Sequence, residues 1–215
     1  MFLTIPDILT PAEVAAIRAA TDDLSFADGS ATAGLFAREV KANDQAAPSP
    51  ALDAITAKVG GALTAHPVFA SAVRPRLMTR LILSRYRQGQ TYGTHVDDAL
   101  MQGLRTDVSF TLFLSDPDTY DGGALIVQDT LEERAIKLPA GHVVVYPSTS
   151  LHRVEPVSDG TRLAVVGWAQ SWVRSAEQRE ILFDLDRSIA PLATSELRDT
   201  LLKTRSNLLR MWAAD

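Results

Sequence analysis

The chain has no cysteine among its 215 residues, which excludes a disulfide framework, a thiolate metal site and a cysteine nucleophile. Histidine is scarce too, with four copies, so any imidazole chemistry draws on very few side chains. An excess of positive charge is missing. Against 26 Asp+Glu stand 21 Lys+Arg, a net charge of −5, which argues against broad binding to nucleic acid or an anionic membrane. No run approaches the ~18 apolar residues of a membrane span. The opening MFLTIPDILTPAEV lacks a basic segment followed by a long apolar one, so no signal peptide is expected and the chain reads as cytoplasmic. The remaining composition, 46% hydrophobic and 22% charged, is that of an ordinary globular protein.

The order of patterns along the chain predicts a single domain over residues 1–215: N-terminal helices over 1–76, a β core over 77–173 and a C-terminal helical extension over 174–215. Thr10-Pro11-Ala12-Glu13 has the form of a capping box with proline at the first helical position. Ala15, Ile17 and Ala20 are expected to supply much of that helix's apolar face. FADGSATAGLFAREVKANDQAAPSP reads as a loop with a short strand. Ser49-Pro50 opens a second helix with Leu52, Ile55, Val59 and Leu63 at helical spacing. RLILSRY, DVSFTLFLS, GALIVQD, AIKLP, HVVVYP, LHRVEPV and RLAVVGWAQSWV are short β-rich runs separated by Gly, Pro and Asp. That density of strands predicts a sandwich or jelly roll rather than βαβ units. DPDTYDGG is expected to make a tight hairpin at Gly122-Gly123, since it lacks calcium-loop spacing. Near the end, Leu197, Leu201, Leu208 and Trp212 fall on one helical stripe. The stripe is expected to pack on its own domain, with a homo-oligomer contact through the C-terminal helices as the alternative.

The chemistry begins at YGTHVDDALMQ, where His95 stands two residues ahead of Asp97. Alone this pair means little, because with four His and 26 Asp+Glu in 215 residues chance supplies roughly one half of such a match. On a strand, residues i and i+2 share a face, so His95 and Asp97 can address one ion, whereas Asp98 faces away. A third ligand should come from a neighbouring strand, and His152 in SLHRVEP is the best candidate. Two imidazoles and one carboxylate make the facial triad of non-haem Fe(II) oxygenases, which leaves open positions on the metal. A 2-oxo acid and dioxygen can occupy those positions. A 2-oxoglutarate co-substrate also needs a cation for its far carboxylate. Arg162, ten residues after His152, offers a planar fork for paired hydrogen bonds. Tyr86, nine residues before His95, can add a phenolic hydrogen bond. Trp168, Gln170 and Trp172 alternate onto Arg162's face, where core packing is the commoner meaning, while His66 and His142 read as structural or exposed. YPSTSLH has serines near a histidine but no nucleophile elbow.

RYRQGQTYGTHVDDA, FTLFLSDPDTYDGGALIV, IKLPAGHVVVYPSTSLHRVEPVSDGTR and WAQSWVR closely resemble the PKHD-type hydroxylases, bacterial Fe(II)/2-oxoglutarate dioxygenases related to prolyl 4-hydroxylases. DGSATAGLFAREVKANDQA resembles the N-terminal signature of that family, so the likeness spans nearly the whole chain. The resemblance implies a mainly β protein with flanking α-helices and a double-stranded β-helix (jelly-roll) core. It implies Fe(II) held by His95, Asp97 and His152, 2-oxoglutarate bound by Arg162 with Tyr86, and L-ascorbate to keep the iron reduced. Lys41, Asn43 and Gln45 in the signature are candidates to approach substrate, which is a small molecule or a peptide. Two positions depart from the family pattern: His142 stands where an acidic residue is expected, and TLEERAIKL lacks a hairpin glycine. A second functional class uses the same three ligands: a non-catalytic β-barrel iron-binding or iron-sensing module, which has no use for Arg162 and Tyr86. A Zn(II) or Mn(II) isomerase or hydrolase of cupin type fits less well for the same reason.

Overall fold

The computed structural model describes residues 1–34, 37–129 and 131–214. From Ile82 the chain passes back and forth between two antiparallel sheets. Ile82–Tyr86, Val108–Phe113, Val143–Pro147 and Arg162–Ser171 lie in the larger sheet, and Thr91–His95, Leu125–Gln128 and His152–Val154 in the smaller. This winding produces the expected jelly-roll sandwich. Glu133–Ile136 extends one edge of the smaller sheet and Lys41–Ala42 the other.

The larger sheet is covered on both faces, which explains why its strands read as unbroken apolar runs. Phe110, Leu112, Val143, Val145, Leu163 and Val165 point to one side, into a core shared with Val14, Ile17, Leu52, Ile55, Val59, Leu63 and Phe69. Those partners belong to α1 (Pro11–Thr21), α2 (Pro50–Ala65) and α3 (Pro67–Val73). The intervening residues Tyr86, Phe113, Val144 and Tyr146 point the other way, against Leu125, Val127, Ile136 and Val154 of the smaller sheet. Period-two alternation is therefore present in geometry but hidden in hydropathy.

The helix starts follow from their caps. Thr10 and Glu13 exchange the reciprocal capping-box bonds, and Ser49 accepts from the Leu52 N–H at 3.2 Å. In α1 the buried face is Val14, Ile17 and Thr21. Ala15 is exposed and Ala20 half-buried, because the larger side chains at i, i+3 and i+7 take the sheet-facing stripe.

The N-terminal segment contains more than helices. Leu3–Ile5, Phe26–Asp28 and Asp44–Ala46 join the larger sheet. These strands have three residues each, too short to establish a periodicity. Lys41–Ala42 pairs with the smaller sheet at Thr91–Tyr92, and Asp44–Gln45 pairs with the larger sheet at Ser84–Arg85. Residues 41–46 thus stitch the two sheets together along one side.

Gly122-Gly123 has positive φ at both residues, but Tyr120–Gly122 pairs with Val157–Gly160 rather than forming a local hairpin. The hairpin between Leu125–Gln128 and Glu133–Ile136 does form without the missing glycine; Thr130 in its turn lies outside the described residues, as do Leu35 and Phe36 of the N-terminal signature.

Two helices follow the core, α4 (Ala176–Ile189) and α5 (Glu196–Trp212). α4 buries Arg179, Leu182, Phe183 and Ile189, and its Asp186 receives Arg74 at 2.5 Å and also Arg205 of α5. α5 buries no residue fully. Leu201, Leu208 and Trp212 are half-covered while Leu197 is exposed, so the expected stripe packs only in part. Among the described residues no helix is long and apolar enough to cross a membrane.

Candidate metal and co-substrate site

His95 ends its strand, and His152 begins the strand beside it; the two are direct register partners. Asp97 lies just beyond the strand, so the regular i, i+2 geometry does not strictly apply. Its carboxylate nevertheless turns inward, with Oδ1 3.7 Å from Nε2 of His152. One ligand atom from each of His95, Asp97 and His152 lies within 4.8 Å of the others, a spacing that suits a single ion. Asp98 is not part of this cluster: its carboxylate lies against Gly34, farther along the wall of the same cavity, where an added Cβ would meet it at 2.4 Å.

Each ligand is held from behind. The Nδ1–H of His95 donates to the Gly93 carbonyl at 2.8 Å, and that of His152 to the Ser150 carbonyl at 3.0 Å. Both bonds place the ring proton on Nδ1 and leave the Nε2 lone pair for a metal. Asp97 Oδ2 accepts from the Ser109 hydroxyl at 2.6 Å, and Ser109 Oγ lies 2.8 Å from Ser148 Oγ. Tyr92 stacks on His95, with ring centroids 3.7 Å apart and planes inclined by 17°. Burial, and after it the neighbouring His152, hold the His95 imidazole down to about 4, so it is neutral and ready to coordinate.

Arg162 and Tyr86 are register partners on adjacent strands of the larger sheet, facing the smaller one. Arg162 is 1% exposed. Its guanidinium lies over the rings of Tyr86 and Phe113 at 5.3 and 5.2 Å, and its Nε has no hydrogen-bond partner. Among the described residues it forms no ion pair, a costly state for a buried cation unless an anion arrives. Gly123 permits this placement, because a Cβ there would come within 3.3 Å of Arg162 Cδ and 2.9 Å of Val157. Burial pushes the Tyr86 phenol up to about 12, so it stays protonated and can donate.

All five candidates, His95, Asp97, His152, Arg162 and Tyr86, line one cavity of about 580 Å³, within the usual range for small-ligand sites. Lys41, Gln45, Tyr92, Ser109, Tyr146 and Trp168 share the wall. Asn43 is buried close by, with neither amide atom hydrogen-bonded. The Tyr146 hydroxyl is kept neutral chiefly by burial, reinforced by Asp97. Gln170 is half-buried and Trp172 is 44% exposed beneath Arg76, so Trp168 alone of that alternating set reaches the cavity. His66 stands at the N-cap position of α3 without a side-chain capping bond, and His142 lies 3.7 Å from Asp7; neither takes part. Sequence reading missed Ser109, Ser148, Tyr92 and Tyr146. The visible signal for Ser109 was a hydroxyl inside the apolar run VSFTLF.

The donor set and the unpaired guanidinium fit Fe(II) and a dicarboxylate. The comparisons agree. A profile of the 2OG-Fe(II) oxygenase superfamily matches residues 81–170. A PKHD-type hydroxylase of Picosynechococcus sp. is 47% identical over 219 residues, covering 99% of this chain and 100% of that protein. One from Maricaulis maris is 53% identical over 195 residues, covering 88% and 89%. Among solved structures, a Pseudomonas putida prolyl-4-hydroxylase shares the fold with a TM-score of 0.56 at 20% identity, covering 79% of this chain and 92% of that one. HygX from Streptomyces hygroscopicus, with nickel and 2-oxoglutarate bound, shares it with a TM-score of 0.58 at 15% identity, covering 80% and 84%. Identity of this order along nearly the whole length leaves one assignment: the chain belongs to the PKHD-type hydroxylases, Fe(II)- and 2-oxoglutarate-dependent dioxygenases.

Proposed function

We propose that His95, Asp97 and His152 hold Fe(II), and that Arg162 and Tyr86 receive the distal carboxylate of 2-oxoglutarate. The observation that carries this reading is a buried arginine with no ion-pair partner sharing a cavity with three converging ligands. When bound, iron would activate dioxygen, the oxidant, while 2-oxoglutarate supplies two electrons as it is oxidised to succinate and carbon dioxide; one oxygen atom ends in succinate and the other in the hydroxylated product.

The protein's own contribution is positional. The Gly93 and Ser150 carbonyls fix the imidazole tautomers, and the Ser109 hydroxyl fixes the free oxygen of Asp97. Arg162 neutralises one end of the co-substrate and, with Tyr86, orients it by directional donors. Leu125, Val154 and Phe110 on the cavity wall exclude water and strengthen each of these charge pairings.

A non-catalytic iron module gives no account of Arg162. The substrate, a small molecule or a peptide, reaches the metal through the open mouth of the cavity. L-Ascorbate as reductant rests on family resemblance, and a cytoplasmic location on the cysteine-free composition and the need for 2-oxoglutarate. A homo-oligomer contact through α4 and α5 is motivated by exposed Ile181, Leu197 and Met211; sedimentation velocity of an Ile181→Glu, Met211→Glu variant against the parent tests it.

Anaerobic addition of Fe(II) and 2-oxoglutarate tests the central assignment. A chelate charge-transfer band, followed by succinate on admission of air, is expected. Iron binding with neither signal would remove the reading.

A further inference from the structure

Three cations line the cavity: Lys41, Arg80 and Arg162. Arg80 is paired with Asp53 at 3.3 Å. Arg162 is taken by the co-substrate in the reading above, on which this inference rests. Lys41 is committed to neither. Among the described residues it forms no ion pair. Its Nζ donates to the Thr32 hydroxyl at 3.1 Å and lies 4.9 Å over the Tyr92 ring. The carboxylates that act on it from a distance are Asp97 and Asp28. Asp97 belongs to the metal triad, and Asp28 is occupied by the Ser30 N–H and hydroxyl at 2.8 and 2.9 Å. A divalent ion on Asp97 would leave Lys41 still shorter of negative charge.

The neighbourhood of Lys41 presents donors. Thr32 accepts from Lys41, and its hydroxyl lies within donating distance of both Gln45 Oε1 at 2.8 Å and the Gly29 carbonyl at 3.0 Å. The Gln45 amide is thereby turned so that its NH₂ end faces away from Thr32, beside an ammonium with N–H bonds to spare. Two polar side chains of one strip, both on the cavity wall, so present hydrogens and few acceptors. The same cavity is lined by apolar Leu81 and Val166 and aromatic Trp168. Lys41 is also close to the triad, since it and His95 both contact the Tyr92 ring.

We propose that Lys41, assisted by Gln45, anchors a carboxylate of the substrate, and that the substrate class is a carboxylic acid with an apolar portion lying on Leu81, Val166 and Trp168. The carbon to be hydroxylated then sits a few bonds from the anchored carboxylate, within reach of the triad. A charge-assisted anchor of this kind fixes orientation as well as affinity.

The test uses the whole protein loaded with Mn(II) and saturating 2-oxoglutarate, with hexanoate and its uncharged analogue hexanamide as probes. Paramagnetic relaxation of the probe protons reports binding near the metal. Hexanoate should relax saturably and independently of further 2-oxoglutarate, and hexanamide should bind at least ten-fold more weakly. Lys41→Met should lose at least ten-fold for hexanoate, with its fold checked by thermal melting, while Lys41→Arg retains most of the binding. A second pair, acetyl-Leu-Ala with a free or an amidated C-terminus, distinguishes a peptide source of the carboxylate from a free acid. Equal relaxation of hexanoate and hexanamide, or an unchanged Lys41→Met variant, overturns the inference alone. Failure of Mn(II) and 2-oxoglutarate to bind in the same titration overturns the functional reading as well.

Discussion

Tyr92 lies flat on His95, centroid to centroid at 3.7 Å, so the orientation of one candidate metal ligand depends on the ring stacked against its face. Replacing Tyr92 with Leu should let the imidazole tilt and weaken Fe(II) binding by about ten-fold. Tyr92→Phe preserves the stack and should bind iron as the parent does. An anaerobic Fe(II) titration measures both; equal losses in the two variants would move the effect from stacking to the hydroxyl.

Ser109 is the only described side chain that hydrogen-bonds Asp97. Ser109→Ala should lower iron affinity by about ten- to a hundred-fold, as losses of such supporting bonds do. Ser148→Ala, one bond further away, should cost less. Competition with a calibrated chelator ranks the two, and the reverse order would contradict the relay.

Arg162→Met separates binding from stability. The apparent KM for 2-oxoglutarate should rise by about 100-fold, the cost of a lost charge-assisted pair, with little change in Fe(II) affinity. Without co-substrate, the variant should melt no lower than the parent, because it relieves the protein of a buried, unpaired cation. Addition of 2-oxoglutarate should raise the melting temperature of the parent far more than that of the variant. A large fall in apo-protein melting temperature would show that Arg162 is structural first.

The metal-free protein should lose stability as pH falls. Burial, then His152, lowers the His95 imidazole from 6.5 to about 4, so the unfolded chain takes up its proton before the folded chain does. Stability from this group is complete above about pH 6.5 and is lost progressively toward pH 4. Urea unfolding of the apo-protein at intervals across that window should show the midpoint falling with pH, and His95→Gln should flatten the slope. An identical slope in the variant would place the titration elsewhere.

The strands that carry the site were legible because they combine long apolar runs with sharp breaks at Gly, Pro and Asp. The five site candidates were legible because their residue types are rare or costly to bury. Four histidines leave few ways to assemble an imidazole pair, and an arginine opening the apolar strand RLAVVGWAQ demands a reason. What escaped was short or ambiguous. Leu3–Ile5 and Phe26–Asp28 acquire strand geometry only through partners more than ten residues away. Ser109 and Ser148 are residues of common type whose value comes from Asp97 arriving beside them. In α1, Ile17 is buried as expected, but Val14 and Thr21, rather than Ala15 and Ala20, complete the stripe, because a sheet offers larger side chains more area to bury. Tyr120–Gly122 was misread because Gly122-Gly123 marks a turn without revealing which distant strand it serves.

Residues 41–46 belong to both sheets at once, through Tyr92 on one side and Ser84 on the other. The candidate ligands His95 and His152 and the arginine lie on other strands, and Asp97 lies just past the end of one. On the readings proposed above, the charged anchor for substrate, Lys41 with Gln45, belongs to this strip, while Val166 and Trp168 share a strand with Arg162. If that anchor is right, exchanges confined to positions 41 and 45 would change which charge the cavity welcomes while leaving the triad and Arg162 untouched.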